Sequence, residues 1–167
     1  MKNRRSFVPF FVALMVLAAC NRVTPETAVA YNDAIVDVQA HVVAHFDDFV
    51  STVDKGDSLG AIVALDEALD SSRVGLKKLE EMKPFDGQTK LLNAAKALVN
   101  HYITGLDAEF RAILPVITSH SATLAQLEQA NNVRDAFKHA EDSLFAAVET
   151  AQKEMAAKYK FDFHPSH

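Results

Sequence analysis

Apolar residues recur at alternating steps of three and four through most of the chain, a spacing that places them on one face of an α-helix. The first stripe ends at the turn Asp54-Lys55-Gly56-Asp57 and consists of Ala28, Tyr31, Ile35, Val38, Val42, His45 and Phe49. Thr24 is the predicted N-cap of this helix, because Pro25 suits the first helical position and Glu26 suits the positive first turn. The pattern predicts a long first helix starting at Pro25.

Two further stripes follow the first turn. Asp57 can cap a second helix that presents Ile62, Leu65, Leu69, Leu76 and Leu79 and ends before Pro84, which cannot continue a helix. Asp86 is the predicted cap of a third helix. Its inward positions are Leu92, Ala95, Val99, Tyr102, Leu106, Ile113 and Val116. Pro115 is expected to kink that helix or open its last turn.

A fourth stripe begins after the turn at 118–123 and marks the last helix. Its apolar positions are Leu127, Phe137, Ala140, Leu144, Ala147, Ala151 and Met155, and Asn131-Asn132 can interrupt it early. Four long helices joined by short turns predict an all-α fold, an antiparallel up-down-up-down four-helix bundle over residues 25–160. In the tail, residues 161–167, Phe161 and Phe163 can pack back onto the bundle.

The first nineteen residues have a different composition and are predicted to be a cleaved signal peptide. Lys2, Arg4 and Arg5 form a basic start, and the apolar run from Phe7 to Leu17 is too short to cross a bilayer of ~30 Å. A basic start, a short apolar run and small residues after it are typical of a secretory signal peptide.

The tetrapeptide Leu17-Ala18-Ala19-Cys20 resembles the lipobox of bacterial lipoproteins at every position. That resemblance implies cleavage before Cys20, a diacylglycerol on its sulfur, and an amino terminus acylated with a fatty acid such as palmitate. Cys20 is the single cysteine in the chain, so a disulfide or a Cys-x-x-Cys metal site has no second thiol. The alternative is an ordinary secretory signal that happens to end at a cysteine.

The predicted lipid places the protein in the cell envelope. Residues 20–24 would form the lipidated amino terminus and a short tether to the membrane. Asn21 follows the cysteine. By the enteric sorting rule, an Asp at this position would favour retention of the lipoprotein in the inner membrane, so Asn21 favours the outer membrane over the inner membrane.

The body that remains after cleavage is acidic. Removing residues 1–19 leaves 14 Lys and Arg against 22 Asp and Glu, so the formal charge falls from −5 to −8. Nucleic-acid binding depends on clustered Lys and Arg at phosphates, and this composition argues against it. The predicted contact with the membrane is through the lipid alone.

The most distinctive local pattern is His41-Val-Val-Ala-His45-Phe-Asp-Asp48. His41, His45 and Asp48 fall at i, i+4 and i+7 on one side of a helix, and two imidazoles with a carboxylate can bind Zn or Cu. Counting outward from the turns places His101, His139 and either Asp66 or Asp70 near the level of His41. Of the histidines only His45 falls at a core position, so buried or solvated structural roles remain the alternative.

Sequence motifs of enzymes are not found. The chain has no glycine-rich phosphate loop, no Gly-x-Ser-x-Gly and no His-Glu-x-x-His, and its adjacent acidic pairs diverge on helices. We therefore expect a non-enzymatic binding or structural module without a cofactor, whose partner is an envelope protein or a small ligand. The alternative is a metal-binding or sensory protein that uses His41 and His45.

Three stretches carry a family resemblance: Met82-Lys-Pro-Phe-Asp-Gly-Gln-Thr-Lys-Leu91, the region around Tyr102, and the ending from Ala151 to Phe161. They resemble a family of uncharacterised bacterial surface lipoproteins of spirochaete and Bacteroidetes type, across nearly the whole mature chain. The resemblance implies an anchored, secreted helical domain. It carries over no catalytic residues, because the family has no established activity.

Overall fold

The computed structural model describes residues 23–163, and nearly all of them are helical. Five α-helices follow one another: α1 (Pro25–Asp54), α2 (Ser58–Glu81), α3 (Lys90–Thr104), α4 (Arg111–Ile117) and α5 (Leu124–Tyr159). Between residues 23 and 163 no strand forms, and the only β-type pairing is the isolated bridge Phe85–Gln88. The predicted all-α class is confirmed.

Side chains at the helix starts explain why α1, α2 and α5 begin where they do. The Thr24 side chain accepts from the backbone N–H of Thr27, and Asp57 Oδ1 accepts from the N–H of Gly60 at 2.9 Å. Thr123 and Gln126 form a capping box at the start of α5. Each cap satisfies a backbone donor that the first turn of a helix leaves unpaired. The caps predicted at Thr24 and Asp57 are confirmed.

The cap predicted at Asp86 is wrong. Asp86 and Gly87 have φ angles of +49° and +71°, so both belong to a tight turn, and α3 begins only after Thr89. Asp86 Oδ2 instead accepts from the Tyr159 hydroxyl at 2.9 Å and from Lys158 Nζ at 3.2 Å. The Asp86 carboxylate therefore ties this turn to the end of α5.

Helices α3 and α4 form one continuous rod through a π-helical turn, Gly105–Phe110. Gly105 and Arg111, at the two junctions, both have right-handed helical dihedrals. Pro115 lies inside α4, which continues past it to Ile117. The π-helical turn is an irregular feature of this rod, and wide turns of this kind are frequently found at functional positions.

The predicted interruption of the last helix at Asn131-Asn132 is wrong. α5 is continuous over 36 residues, and both asparagines are exposed on its surface. Water can satisfy an exposed amide side chain without competing for the helical backbone, which explains why the helix continues.

An aromatic cluster joins α1, α5 and the rod formed by α3 and α4 at the centre of the protein. The Phe137 ring of α5 stacks on Phe46 of α1, with centroids 5.2 Å apart, and meets Phe110 edge-on at 5.0 Å. Phe137 also lies directly over Gly105: a Cβ built on that glycine would be 2.3 Å from the ring. The missing side chain at Gly105 therefore lets α5 approach the π-helical turn.

The other buried residues form a core that runs along all the helices. Within it, α1 packs more closely against α2 than against α5. The tail after α5 turns through Lys160 in a left-handed conformation, and Phe161 packs on the core as expected. Among the helices of residues 23–163, none has the length and apolar content needed to cross a membrane.

The substitution Gly105→Ala should destabilise the protein. Glycine to alanine inside a helix normally gains ~1 kcal/mol, but here the new methyl group meets a ring held on several sides. Overpacking of this kind costs about 1–3 kcal/mol, which corresponds to a Tm lower by about 2–4 °C per kcal/mol. Thermal unfolding followed by circular dichroism measures the change.

A double-mutant cycle provides the control. Phe137→Leu removes the ring atoms that face Gly105, so adding Gly105→Ala in that background should cost much less than it does alone. A Tm that rises in the single Gly105→Ala variant would contradict the proposed close contact.

Candidate binding groove between α1 and α5

The two histidines predicted to bind metal lie next to each other near the surface of α1. The rings of His41 and His45 meet edge-on with centroids 4.8 Å apart. His41 and Asp48 are exposed and His45 is half-buried. The core position predicted for His45 is wrong, because the neighbouring Phe46 is buried there and a phenyl ring gains more from burial than an imidazole.

The residues predicted at the level of His41 have other partners or are exposed. His101 stacks on the Phe137 ring at 4.1 Å, and its Nε2–H donates to the carbonyl of Phe137 at 3.1 Å in the tautomer protonated there. Asp66 pairs with Arg111 at 2.7 Å, Asp70 lies 3.7 Å from Arg73, and His139 is exposed.

Across residues 23–163, no three His, Cys, Asp or Glu side chains are grouped so that they could hold a metal ion. His41 and His45 thus supply two adjacent imidazoles, and no third ligand from residues 23–163 is grouped with them. The predicted lipid-attachment residue, Cys20, and the sorting residue, Asn21, lie outside the described residues. Their roles stay predictions.

A groove of about 640 Å³ opens between α1 and α5. This volume falls within the range of ~300–1,000 Å³ typical of small-molecule sites. Its α1 wall runs from Val36 to Asp47, which at ~1.5 Å per residue is about 16 Å long. The apolar lining consists of Val36, Ala40, Val43, Ala44, Phe145, Ala146, Val148 and Phe163.

Small side chains keep this groove open. Ala40 and Ala44 on α1 face the groove together with Ala146 on α5, where larger residues would fill the space between the helices. The tail closes one part of the lining with Phe163, whose ring lies 5.9 Å from Lys153 Nζ. The groove is therefore an elongated apolar channel between the first and last helices.

Amide side chains lie at the floor of the groove. Gln152 is buried and donates from Nε2 to Asn32 Oδ1 at 3.0 Å. Gln39 is also buried, with 7% of its surface exposed, and its Nε2 has no hydrogen-bond partner within residues 23–163. A buried amide donor without an acceptor is costly, and native proteins rarely leave one.

Three carboxylates line the groove, and two of them are paired with lysines. Lys138 Nζ lies 2.5 Å from Asp142, and Lys153 Nζ lies 2.6 Å from Glu149. Asp47 of α1 has no lysine or arginine within ion-pair distance in the described part of the chain. The groove thus has an acidic end at Asp47, whose charge no lysine or arginine of residues 23–163 balances.

The surroundings of Asp47 disfavour its charge. Partial burial raises the pKa of Asp47, and the negative charges of Glu141 and Asp48 raise it further. A positive charge placed beside Asp47 would oppose both effects, because an opposite charge within a few ångströms favours the ionised form.

A buried hydrogen bond lies beside this end of the groove. The Tyr102 hydroxyl donates to Oε1 of Glu141, whose residue is 7% exposed, and Lys138 Nζ lies 3.0 Å from Oε2. Burial raises the pKa of Tyr102 far above its usual range, and the hydrogen bond to Glu141 raises it further. Tyr102 therefore stays a neutral donor, and the pair links α3 to α5.

This groove was not among the features predicted from the sequence. One signal was present: α1 carries a second apolar stripe at Val36, Ala40, Val43 and Ala44, beside the one used to predict its core face. A helix with more apolar surface than one stripe needs a second partner or leaves a face open. The buried positions of Gln39 and Glu141 could not be read from their polar residue types.

The chain matches no protein-family model, no curated protein and no solved structure. Its function must therefore be inferred from its own residues.

The Tyr102–Glu141 bond should contribute measurably to stability. Tyr102→Phe removes the donor and leaves a buried carboxylate oxygen without it, so the free energy of unfolding should fall by about 1–3 kcal/mol. Urea denaturation at neutral pH measures the loss.

Glu141→Gln is the matched control, since an amide oxygen can still accept from Tyr102. It should cost less than Tyr102→Phe at the same pH. Equal stability of Tyr102→Phe and the wild-type protein would contradict a stabilising role for this bond.

Proposed function

We propose that the protein is a lipid-anchored, non-enzymatic module of the cell envelope that holds a small ligand in the α1–α5 groove. The shape and lining of the groove are the main support for this proposal. The groove is elongated and mostly apolar, and it has a small number of polar groups at defined positions, as small-molecule sites do. A small ligand fits these features better than an envelope protein does, because the opening lies between two helices of one chain.

The lipid anchor is supported by the sequence of the first twenty residues. A basic start, a short apolar run and the box ending at Cys20 agree with one another, and Asn21 favours the outer membrane. The structure supports close tethering, because α1 starts at Pro25, only a few residues after Cys20. We infer the same family of surface lipoproteins that the sequence resembles.

We also propose that α1, α2, the α3–α4 rod and α5 are arranged as an antiparallel up-down-up-down bundle. Ser58 Oγ donates to the Thr118 carbonyl at 3.2 Å, which joins the start of α2 to the end of α4. Lys90 Nζ lies 2.5 Å from Glu154, which joins the start of α3 to the end region of α5. Both contacts are those expected when consecutive rods run in opposite directions.

The anchor is tested by the mass of the mature protein. The wild-type chain should lack residues 1–19, carry a diacylglycerol mass on Cys20, and incorporate an alkynyl palmitate analogue. Cys20→Ser should abolish the lipid mass and the labelling, because a hydroxyl does not form the thioether. Retention of residues 1–19 in the wild-type protein would contradict the proposed anchor.

Ligand binding is tested by native mass spectrometry of the full chain released from nanodiscs. A bound small molecule should appear as a mass adduct on the wild-type protein and be lost in Ala44→Trp, whose indole fills the groove.

Ala34→Trp is the matched control, since Ala34 is exposed on α1 and is not part of the groove lining. It should keep the adduct. An adduct retained in Ala44→Trp, or absent from every form including the wild type, would contradict ligand binding in the groove.

A further inference from the structure

The charges around the groove restrict the ligand further than its shape does. The carboxylates Asp47, Asp142 and Glu149 line it, and among residues 23–163 no lysine, arginine or histidine belongs to the lining. An anionic ligand such as a fatty-acid carboxylate would be repelled by Asp47, because Lys138 and Lys153 are already paired with Asp142 and Glu149. A cation would be attracted, and a low-dielectric wall strengthens that attraction relative to water.

Asp47 is the point where a cation would gain most. Asp142 and Glu149 already have lysine partners at 2.5 and 2.6 Å, whereas the charges that act on Asp47 come from Glu141 and Asp48. A ligand ammonium group at Asp47 would supply the cation that the described residues do not provide.

The floor of the groove gives a second, independent indication of a ligand. The Gln39 amide is more than nine-tenths buried, lines the groove and has no acceptor for its Nε2 among residues 23–163. Gln39 lies eight residues before Asp47 on the same helix, which places it about 12 Å from the acidic end. The apolar side chains of Ala40, Val43 and Ala44 lie between these two polar points.

We propose that the groove binds an elongated amphiphile whose positively charged head lies at Asp47 and whose apolar chain follows the groove toward Gln39. This inference rests on the proposed ligand-binding function and names the chemical class of the ligand. An acceptor oxygen in the chain, such as an amide or ester carbonyl, would satisfy the Gln39 donor.

The test uses three photoreactive probes on the full chain in phosphatidylcholine nanodiscs. The probes share one alkyl chain bearing a diazirine and differ only in the head: trimethylammonium, hydroxyl or carboxylate. Mass spectrometry of the crosslinked peptides reports which residues are labelled, so partition of the probes into lipid does not obscure the result.

We expect the ammonium probe to label the groove-lining parts of α1 and α5 more than the hydroxyl probe, and the carboxylate probe to label them least. Asp47→Asn should reduce ammonium labelling by about threefold to fivefold, as expected for a partly exposed ion pair, and leave hydroxyl labelling unchanged. Ala44→Trp should abolish groove labelling by all three probes, and Ala34→Trp should not.

Two outcomes would overturn the inference, and they differ in what they say about the proposed function. Equal groove labelling by the three probes, unaffected by Asp47→Asn, would show an amphiphile site without selectivity for cations, and ligand binding would stand. Absence of groove labelling by every probe would show that the groove does not bind a cationic amphiphile. The mass adduct on the wild-type protein would then decide separately whether the groove binds another kind of molecule.

Discussion

The Phe137 ring holds the last helix against the rest of the protein, and it can do so because residue 105 has no side chain. The ring lies within van der Waals range of the Gly105 backbone and is enclosed by Phe46, Phe110 and the His101 imidazole. Aromatic pairs at these distances contribute ~0.5–1.5 kcal/mol each beyond the area they bury. This contact brings α1, the π-helical turn and α5 together at one level.

The groove begins where the aromatic contact between α1 and α5 ends. Beyond Phe137 toward the carboxyl end of α5, the residues facing α1 include Ala146 and Val148, and those on α1 include Ala40 and Ala44. These side chains are too short to fill the space that the aromatic rings set between the helices. The helices meet again at the Gln152–Asn32 hydrogen bond. The groove is thus the stretch between an aromatic contact and a polar one.

Much of the fold could be predicted from the sequence because local chemistry decides it. The caps at Thr24 and Asp57, the end of α2 before Pro84 and the continuous apolar stripes all depend on residues close together in the chain. The prediction failed at Asp86, whose carboxylate is used by Tyr159 and Lys158 from the far end of the chain. It also failed at His45, where the choice between adjacent side chains was settled by packing against other helices. The second apolar stripe of α1 indicates an open face, but the groove itself depends on the spacing between α1 and α5, which residues close together in the chain do not determine.

The groove combines the first helix with the last helix and its tail. Val36 to Asp47 come early in the chain, whereas Phe145 to Gln152 and Phe163 come at its end. The pocket therefore does not exist on a nascent chain that lacks α5, whatever part of α1 has already folded. A ligand of this groove would have to be acquired after α5 and Phe163 have been synthesised and have packed against α1.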